Sequence, residues 1–245
     1  QRQMCIRDRV TDTQDTTGTV LEEHPVEVTE EQVKEAVLSF TGEYMQVPPM
    51  YSALKVNGKK LCDLARAGVT VERQARPVQL YSIEIIKMEL PRVCMRVRCS
   101  KGTYIRTLCQ DIGEKLSCGA CMESLLRTKV SEFCVQDALR LSEIEERVQK
   151  AAGQAQSEQW NAEMFDFIYA VDSVFLQYKK AVICKEWNKL LYNGNRMKKD
   201  MFVSYQKDWE QQKVRIYDEE GRFIGIYEYS EIHGDYKPVK LFMEA

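Results

Sequence analysis

The stretch from Val93 to Leu116 constrains the fold more than any other. Val93, Met95, Val97 and Cys99 lie on one side of a two-residue period, and Cys94, Arg96 and Arg98 on the other. That is the pattern of a half-buried strand whose open face carries two arginines. Lys101-Gly102-Thr103-Tyr104-Ile105-Arg106 follows, and then Ile105, Leu108, Cys109, Ile112 and Leu116 recur at helical spacing. Strands and helices succeed one another here without regular βαβ spacing, which predicts an α+β chain.

The flanking sequence fits this reading. Thr29 with Gln32 three residues later forms a capping box, and Val33, Ala36, Val37 and Phe40 give the helix an apolar face that Gly42 ends. Asn57-Gly58 signals a hairpin turn. A short helix follows over 60–67, and a strand over 78–88. Residues 11–18, TDTQDTTG, form a turn in which Asp and Thr side chains bond nearby backbone. Beyond residue 175, five short strands are expected over 180–184, 201–205, 213–217, 223–229 and 239–242, which read as a small barrel. With 245 residues the chain holds between one and two domains of about 150 residues. The expected boundaries are a foreign leader over 1–9, a main domain over 10–150, a linker and connecting helix over 151–175, and the barrel over 176–245.

The formal net charge of −2 excludes a strongly basic coat. The charge is unevenly placed: residues 12–54 carry nine acids and one base, residues 55–106 twelve bases and four acids. Basic residues interleaved with Tyr51, Tyr81 and Tyr104 suit a nucleic-acid face, while mutual neutralisation of the two segments is the alternative. No apolar run is long enough for a membrane helix. Nine scattered cysteines favour free thiols in a reducing, cytoplasmic setting. The pair Cys118 and Cys121 has no second pair at zinc-site spacing, and two histidines cannot build a histidine-rich metal centre. Tyr104 and Arg106, two apart on extended backbone, would face the same way and could hold a flat heterocycle and a carboxylate. Asp15 is the most plausible acid partner. These patterns identify no nucleophile.

Six segments together carry a resemblance: TDTQDTTG (11–18), QVPPMYSALK (46–55), NGKKLCDLARAG (57–68), CSKGTYIRT (99–107), DIGEKLSCGA (111–120) and Leu125–Arg127. In this order they resemble the TruB family of bacterial tRNA pseudouridine synthases over roughly residues 10–142. The tail, with Asn193-Gly194 and the run from Val214 to Phe223, resembles that family's small PUA-like barrel. The resemblance implies isomerisation of the T-arm uridine of tRNA without metal or organic cofactor, by a monomer with no obligate protein partner. It places Tyr104 in the uracil pocket, Arg106 against a catalytic aspartate, Asp15 in the same charge network and Leu125 in the pocket wall. It implies site and RNA contacts by the segment from Tyr51 to Lys55 and an RNA contact by Arg127, and the basic stretch adds Lys59, Lys60, Arg96, Arg98 and Lys101 as RNA-binding candidates. Where the family has an arginine pair, this chain has Leu126 and Arg127. The family's nucleophilic aspartate sits in a Gly-Thr-Leu-Asp-Pro segment that this sequence lacks, and a second essential tyrosine is missing too. The expectation is therefore a truncated, inactive enzyme, with a catalytically dead RNA-binding module as the alternative.

Overall fold

The computed structural model describes residues 2–7, 9–154 and 165–242, with side chains over 9–151 and 165–242. The chain divides into two units, Gln1–Ala138 and Leu139–Ala245. The expected linker, 151–175, falls in the second unit, and its stretch 155–164 lies outside the described residues.

The first unit opens with β1 (Arg2–Arg7), β2 (Arg9–Thr11) and β3 (Val20–Glu23). There follow α1 (Glu30–Leu38), β4 (Gly42–Gln46), the hairpin β5 (Lys55–Val56) and β6 (Lys59–Lys60), and α2 (Leu61–Arg66). The long strands β7 (Arg76–Glu89) and β8 (Arg92–Cys99) come next. Helix α3 (Ile105–Lys115), β9 (Cys121–Arg127) and the short pair β10 (Lys129–Val130) and β11 (Phe133–Cys134) complete the unit. The main sheet runs β4-β7-β8-β1-β9, and each neighbouring pair is antiparallel. Residues 1–9, expected as a leader outside the fold, instead supply β1, which pairs Arg2 with Val97 on one side and with Arg127 on the other, and open β2.

The capping box forms as expected: the Thr29 N–H donates to Gln32 Oε1 (2.8 Å) and the Gln32 N–H to Thr29 Oγ1 (3.3 Å). Helix α1 ends at Ser39, so Gly42, with φ of +112°, starts β4 instead of closing the helix. The two-residue period of β8 holds, with Val93, Met95 and Val97 buried. They pack with Leu80, Ile105, Leu108 and Ile112 into the core of the unit. Gly113 lets α3 approach the start of β9, since a Cβ there would lie 2.2 Å from the Ala120 backbone nitrogen.

The second unit contains α4 (Leu141–Gln154), β12 (Lys179–Val182), α5 (Asn188–Tyr192), β13 (Lys213–Tyr217), β14 (Phe223–Ser230) and β15 (Asp235–Leu241). Its sheet runs β12-β13-β14-β15, with the first pair parallel and the others antiparallel. Among the described residues the expected PUA-like barrel does not form: β12 and β15 end an open sheet and do not pair with each other. The reason lies at the expected strand over 201–205. Lys199–Met201 forms a 3-10 turn, and Phe202 makes one isolated bridge to Ile183 while its ring packs on Trp209 (5.6 Å) and Tyr236 (5.1 Å). The Val203 N–H donates to the Val182 carbonyl (3.0 Å) and the Cys184 N–H to the Met201 carbonyl (2.9 Å), so the segment makes a single bridge to the end of β12 and not a closing strand.

Candidate active site

The TDTQDTTG turn connects β2 to β3 and is pinned from within. The Asp12 N–H donates to the Thr19 carbonyl (3.2 Å), and the Thr19 N–H returns to Asp12 Oδ1 (2.8 Å). Gln14 takes a left-handed φ of +63°, which points the next residue inward. The turn is also tied to β9, for the Thr16 N–H donates to the Met122 carbonyl and the Met122 N–H to the Gln14 carbonyl (3.0 Å each). Asp15 is thereby fixed. Its Oδ1 accepts from Thr13 Oγ1 (2.9 Å), the Thr17 N–H (3.0 Å) and Thr17 Oγ1 (2.5 Å), and its Oδ2 from Arg106 Nη1 (3.0 Å).

Arg106 stands in the first turn of α3 and binds three groups. Besides Asp15, Nη1 donates to the Thr13 carbonyl (3.2 Å), and Nη2 donates to the Tyr51 carbonyl (2.7 Å). Thr107 next to it donates to Gln14 Oε1 (2.9 Å). The Arg106 and Asp15 side chains are 25% and 16% exposed, so their charge-assisted bond is largely shielded from water. Burial pulls the Asp15 carboxyl upward, but the donors from Thr17 and Thr13, with Arg106, outweigh it and hold Asp15 below the usual carboxylate value. Among the described residues Asp15 is the one carboxylate paired with Arg106. With every oxygen engaged, it is built to orient the guanidinium.

Tyr104 caps the start of α3 with extended backbone (φ −95°, ψ 108°), while Arg106 is already helical. The two therefore do not share an extended face, contrary to the expectation from spacing. The Tyr104 N–H donates to Gln46 Oε1 (2.8 Å), and its carbonyl accepts from Gln46 Nε2 (3.0 Å). Gln46 also donates to the Tyr44 hydroxyl. Burial and the nearby Asp111 carboxylate raise the Tyr44 phenol above its ordinary value, and burial with the Glu114 charge pushes Asp111 up to about 6. Tyr104, Arg76, Lys101, Gln46 and Leu54 line a cavity of about 180 Å³, whose walls include neither Asp15 nor Arg106.

The remaining expected residues are spread over the first unit. Lys55 pairs directly with Lys60 across the Asn57-Gly58 turn (φ +50° and +80°), and both are exposed together with Lys59. Like charges set opposite each other destabilise a hairpin, and an anion between them relieves the repulsion. On β8 the two arginines differ: Arg96 donates to Glu84 (2.8 Å), while the Arg98 guanidinium sits 5.5 Å from the Tyr81 ring centre with no acid attached among the described residues. Leu125 is 41% exposed on β9, and Arg127 beside it is exposed. Cys118 and Cys121 are buried. Sequence reasoning counted Thr13 among the turn side chains that bond nearby groups and missed Thr17 and Gln46. Thr17 was legible as a side chain two residues after an Asp in a turn; Gln46 had no such signal.

Comparison with known proteins bears on the same residues. The model of the TruB family pseudouridylate synthase N-terminal domain matches residues 5–105, and that of the tRNA pseudouridylate synthase B C-terminal domain matches residues 106–176. The tRNA pseudouridine synthase B of Lachnoclostridium phytofermentans is 47% identical over 218 residues, covering 84% of this chain and 67% of its own. The chain belongs to the TruB family of pseudouridine synthases. The corresponding Clostridium kluyveri protein is 37% identical, over 95% of this chain and 74% of its own. The TruB chain thus spans about two thirds to three quarters of the length of these curated relatives. Both family domains are represented, and the first match begins within the stretch expected to be foreign. This overturns the expectation of an inactive remnant headed by foreign sequence. A box H/ACA ribonucleoprotein bound to a substrate RNA containing 2′-deoxyuridine shares the TruB chain's fold at a TM-score of 0.61 and 16% identity, over 99% of this chain and 65% of its own. Among the described residues no helix is long and apolar enough to cross a membrane.

Proposed function

We propose that the protein is a tRNA pseudouridine synthase that isomerises a T-arm uridine. The observation that carries this reading is the Arg106–Asp15 pair, which joins the TDTQDTTG turn to the first turn of α3 through charge-assisted bonds. The reaction breaks the C1′–N1 bond, turns the base over and joins C5 to C1′, with the C5 proton lost to solvent and a proton taken up at N1. It needs an ionised carboxylate at the reacting sugar held by a cation, a pocket for the freed base and a nucleotide drawn out of its stack. Arg106 is that cation, with Asp15 and the Tyr51 carbonyl holding its plane. Tyr104, which lines a cavity together with Arg76 and Lys101, offers a ring face for the base. The relatives named tRNA pseudouridine synthase B, and a shared fold with a ribonucleoprotein bound to substrate RNA, support RNA as the substrate.

The contacts to RNA fall to Tyr51, Lys55, Lys59, Lys60, Arg98, Lys101 and Arg127, with Arg96 contributing less because Glu84 already neutralises it. The test is release of tritium from a T-arm stem-loop carrying C5-labelled uridine. Release by the protein that falls about 1,000-fold or more in Arg106→Ala is expected, as for loss of a preorganised electrostatic group. Binding of the stem-loop without release, or release indifferent to Arg106, would overturn the proposal.

A further inference from the structure

We infer that Gln46 is a positioning residue for this reaction: its buried amide clamps the Tyr104 peptide at the head of α3 and thereby aims both the Tyr104 ring and the Arg106 guanidinium. The inference rests on the function proposed above for the site itself. Gln46 is 1% exposed at the end of β4, 58 residues before Tyr104. Its amide meets both backbone groups of one residue, accepting from the Tyr104 N–H at 2.8 Å and donating to the Tyr104 carbonyl at 3.0 Å. That carbonyl already accepts the first bond of α3, from the Leu108 N–H (3.1 Å), so Gln46 uses its second lone pair.

The clamp sits where the helix is otherwise unsupported. Tyr104 provides no side-chain cap for α3, and its N–H precedes the helical ladder. Without Gln46 that N–H would be buried with no partner, at a cost that favours a different backbone angle. The second Nε2 hydrogen is taken by the Tyr44 hydroxyl, so the amide cannot flip without losing bonds at three places. Tyr44 is itself held edge-on against Phe40, with ring centres 5.3 Å apart. The chain of contacts runs from the core through Tyr44 and Gln46 to the Tyr104 peptide, and Arg106 lies two residues further on. Gln46 makes its bonds to Tyr104 and Tyr44 and none to Arg106 or Asp15, and its effect on Arg106 passes through Tyr104. A displacement of about 1 Å at a reacting group can cost on the order of 100-fold in rate.

The test uses Gln46→Met, which keeps the volume and removes all three bonds, and Gln46→Glu, which keeps an acceptor for the Tyr104 N–H. Amide hydrogen exchange by NMR and tritium release are measured on each full chain. In Gln46→Met the Tyr104 amide should exchange about tenfold faster or more, with Ile112 unchanged. Its kcat should fall about 10- to 100-fold while KM stays within about threefold. Gln46→Glu should keep Tyr104 protection and lose less kcat; if the Met variant does not fold, the Glu variant is compared with the wild type on both readouts. An unchanged Tyr104 amide in Gln46→Met, or a loss expressed only in KM, overturns the clamp. If the wild-type protein releases no tritium, the functional reading fails, and the clamp stands or falls on the exchange data alone.

Discussion

The two units are built on different physics. In the first, the bonds that shape the site are polar and join residues far apart in sequence: Arg106 to Asp15 across 91 positions, Thr107 to Gln14 across 93, Gln46 to Tyr104 across 58. In the second, the centre is aromatic, with Phe202, Trp209, Tyr227 and Tyr236 buried together. Several of its polar bonds are local, such as Tyr205 to Glu210 and the Arg222 N–H to Asp218, across five and four positions. Polar bonds have preferred directions and lose much of their strength when misaligned, whereas ring packing is tolerant of angle. A reaction that needs groups held to a fraction of an ångström is served by the first construction, and cohesion by the second.

That contrast can be broken most strongly in the aromatic unit. Ile216 is fully buried on β13, and Ile216→Ala should cost about 3 kcal/mol through lost burial and a residual cavity. Amide exchange should rise through β12–β15 while β7 and β8 keep their protection. Loss of protection in β7 and β8 as well would show that the difference in construction does not separate their stability.

A smaller effect sharpens the polar side. The Asp15 carboxyl is held below its ordinary value, so it stabilises the fold above the unfolded-state pKa near 4, and that contribution is lost as pH falls through the folded-state value. Asp15→Asn should therefore lower stability by about 1 kcal/mol at pH 7 and by little at pH 2. Urea melts across this range check it, and a pH-independent difference would remove the charge from the explanation.

The smallest effect concerns the arginines of β8. If each met a phosphate equally, each alanine variant would flatten the salt dependence of RNA binding by about one unit. Because Arg96 is bonded to Glu84 and Arg98 is not bonded to an acid among the described residues, Arg98→Ala should flatten the slope by about one and Arg96→Ala by much less. Filter binding over a salt series distinguishes the two, and equal slopes would contradict the assignment.

Local pattern was enough wherever the decisive interactions were local. The Thr29–Gln32 box, the buried face Val93-Met95-Val97, the apolar stripe of α3 and the Asn57-Gly58 hairpin were all readable because backbone periodicity and capping act over a few residues. The motif order pointed to the family, and the TDTQDTTG turn was readable as a turn. Failures came where distant segments compete for the same residue. Residues 201–205 have the composition of a strand, yet the 3-10 turn Lys199–Met201 leaves Phe202 one isolated bridge to Ile183, and among the described residues the sheet stays open. The stretch at 1–9 has no period that announces a strand, and its place between β8 and β9 comes from partners about 90 and 120 positions away.

The sequence by itself determined which residues could carry the chemistry, because side-chain type and spacing in a turn or helix are written directly in the chain. It determined Arg106, Asp15 and Tyr104 as candidates, with Asp15 in a side-chain-bonded turn and the other two in the stretch that leads into a helix. Only the tertiary structure decided how they meet: Arg106 on Asp15, Tyr104 held by Gln46 and turned toward a different cavity, Leu125 left at the surface. The reason is that a buried polar group must find its partner wherever folding brings one, and no local period encodes a hydrogen bond that closes across 58 or 91 residues.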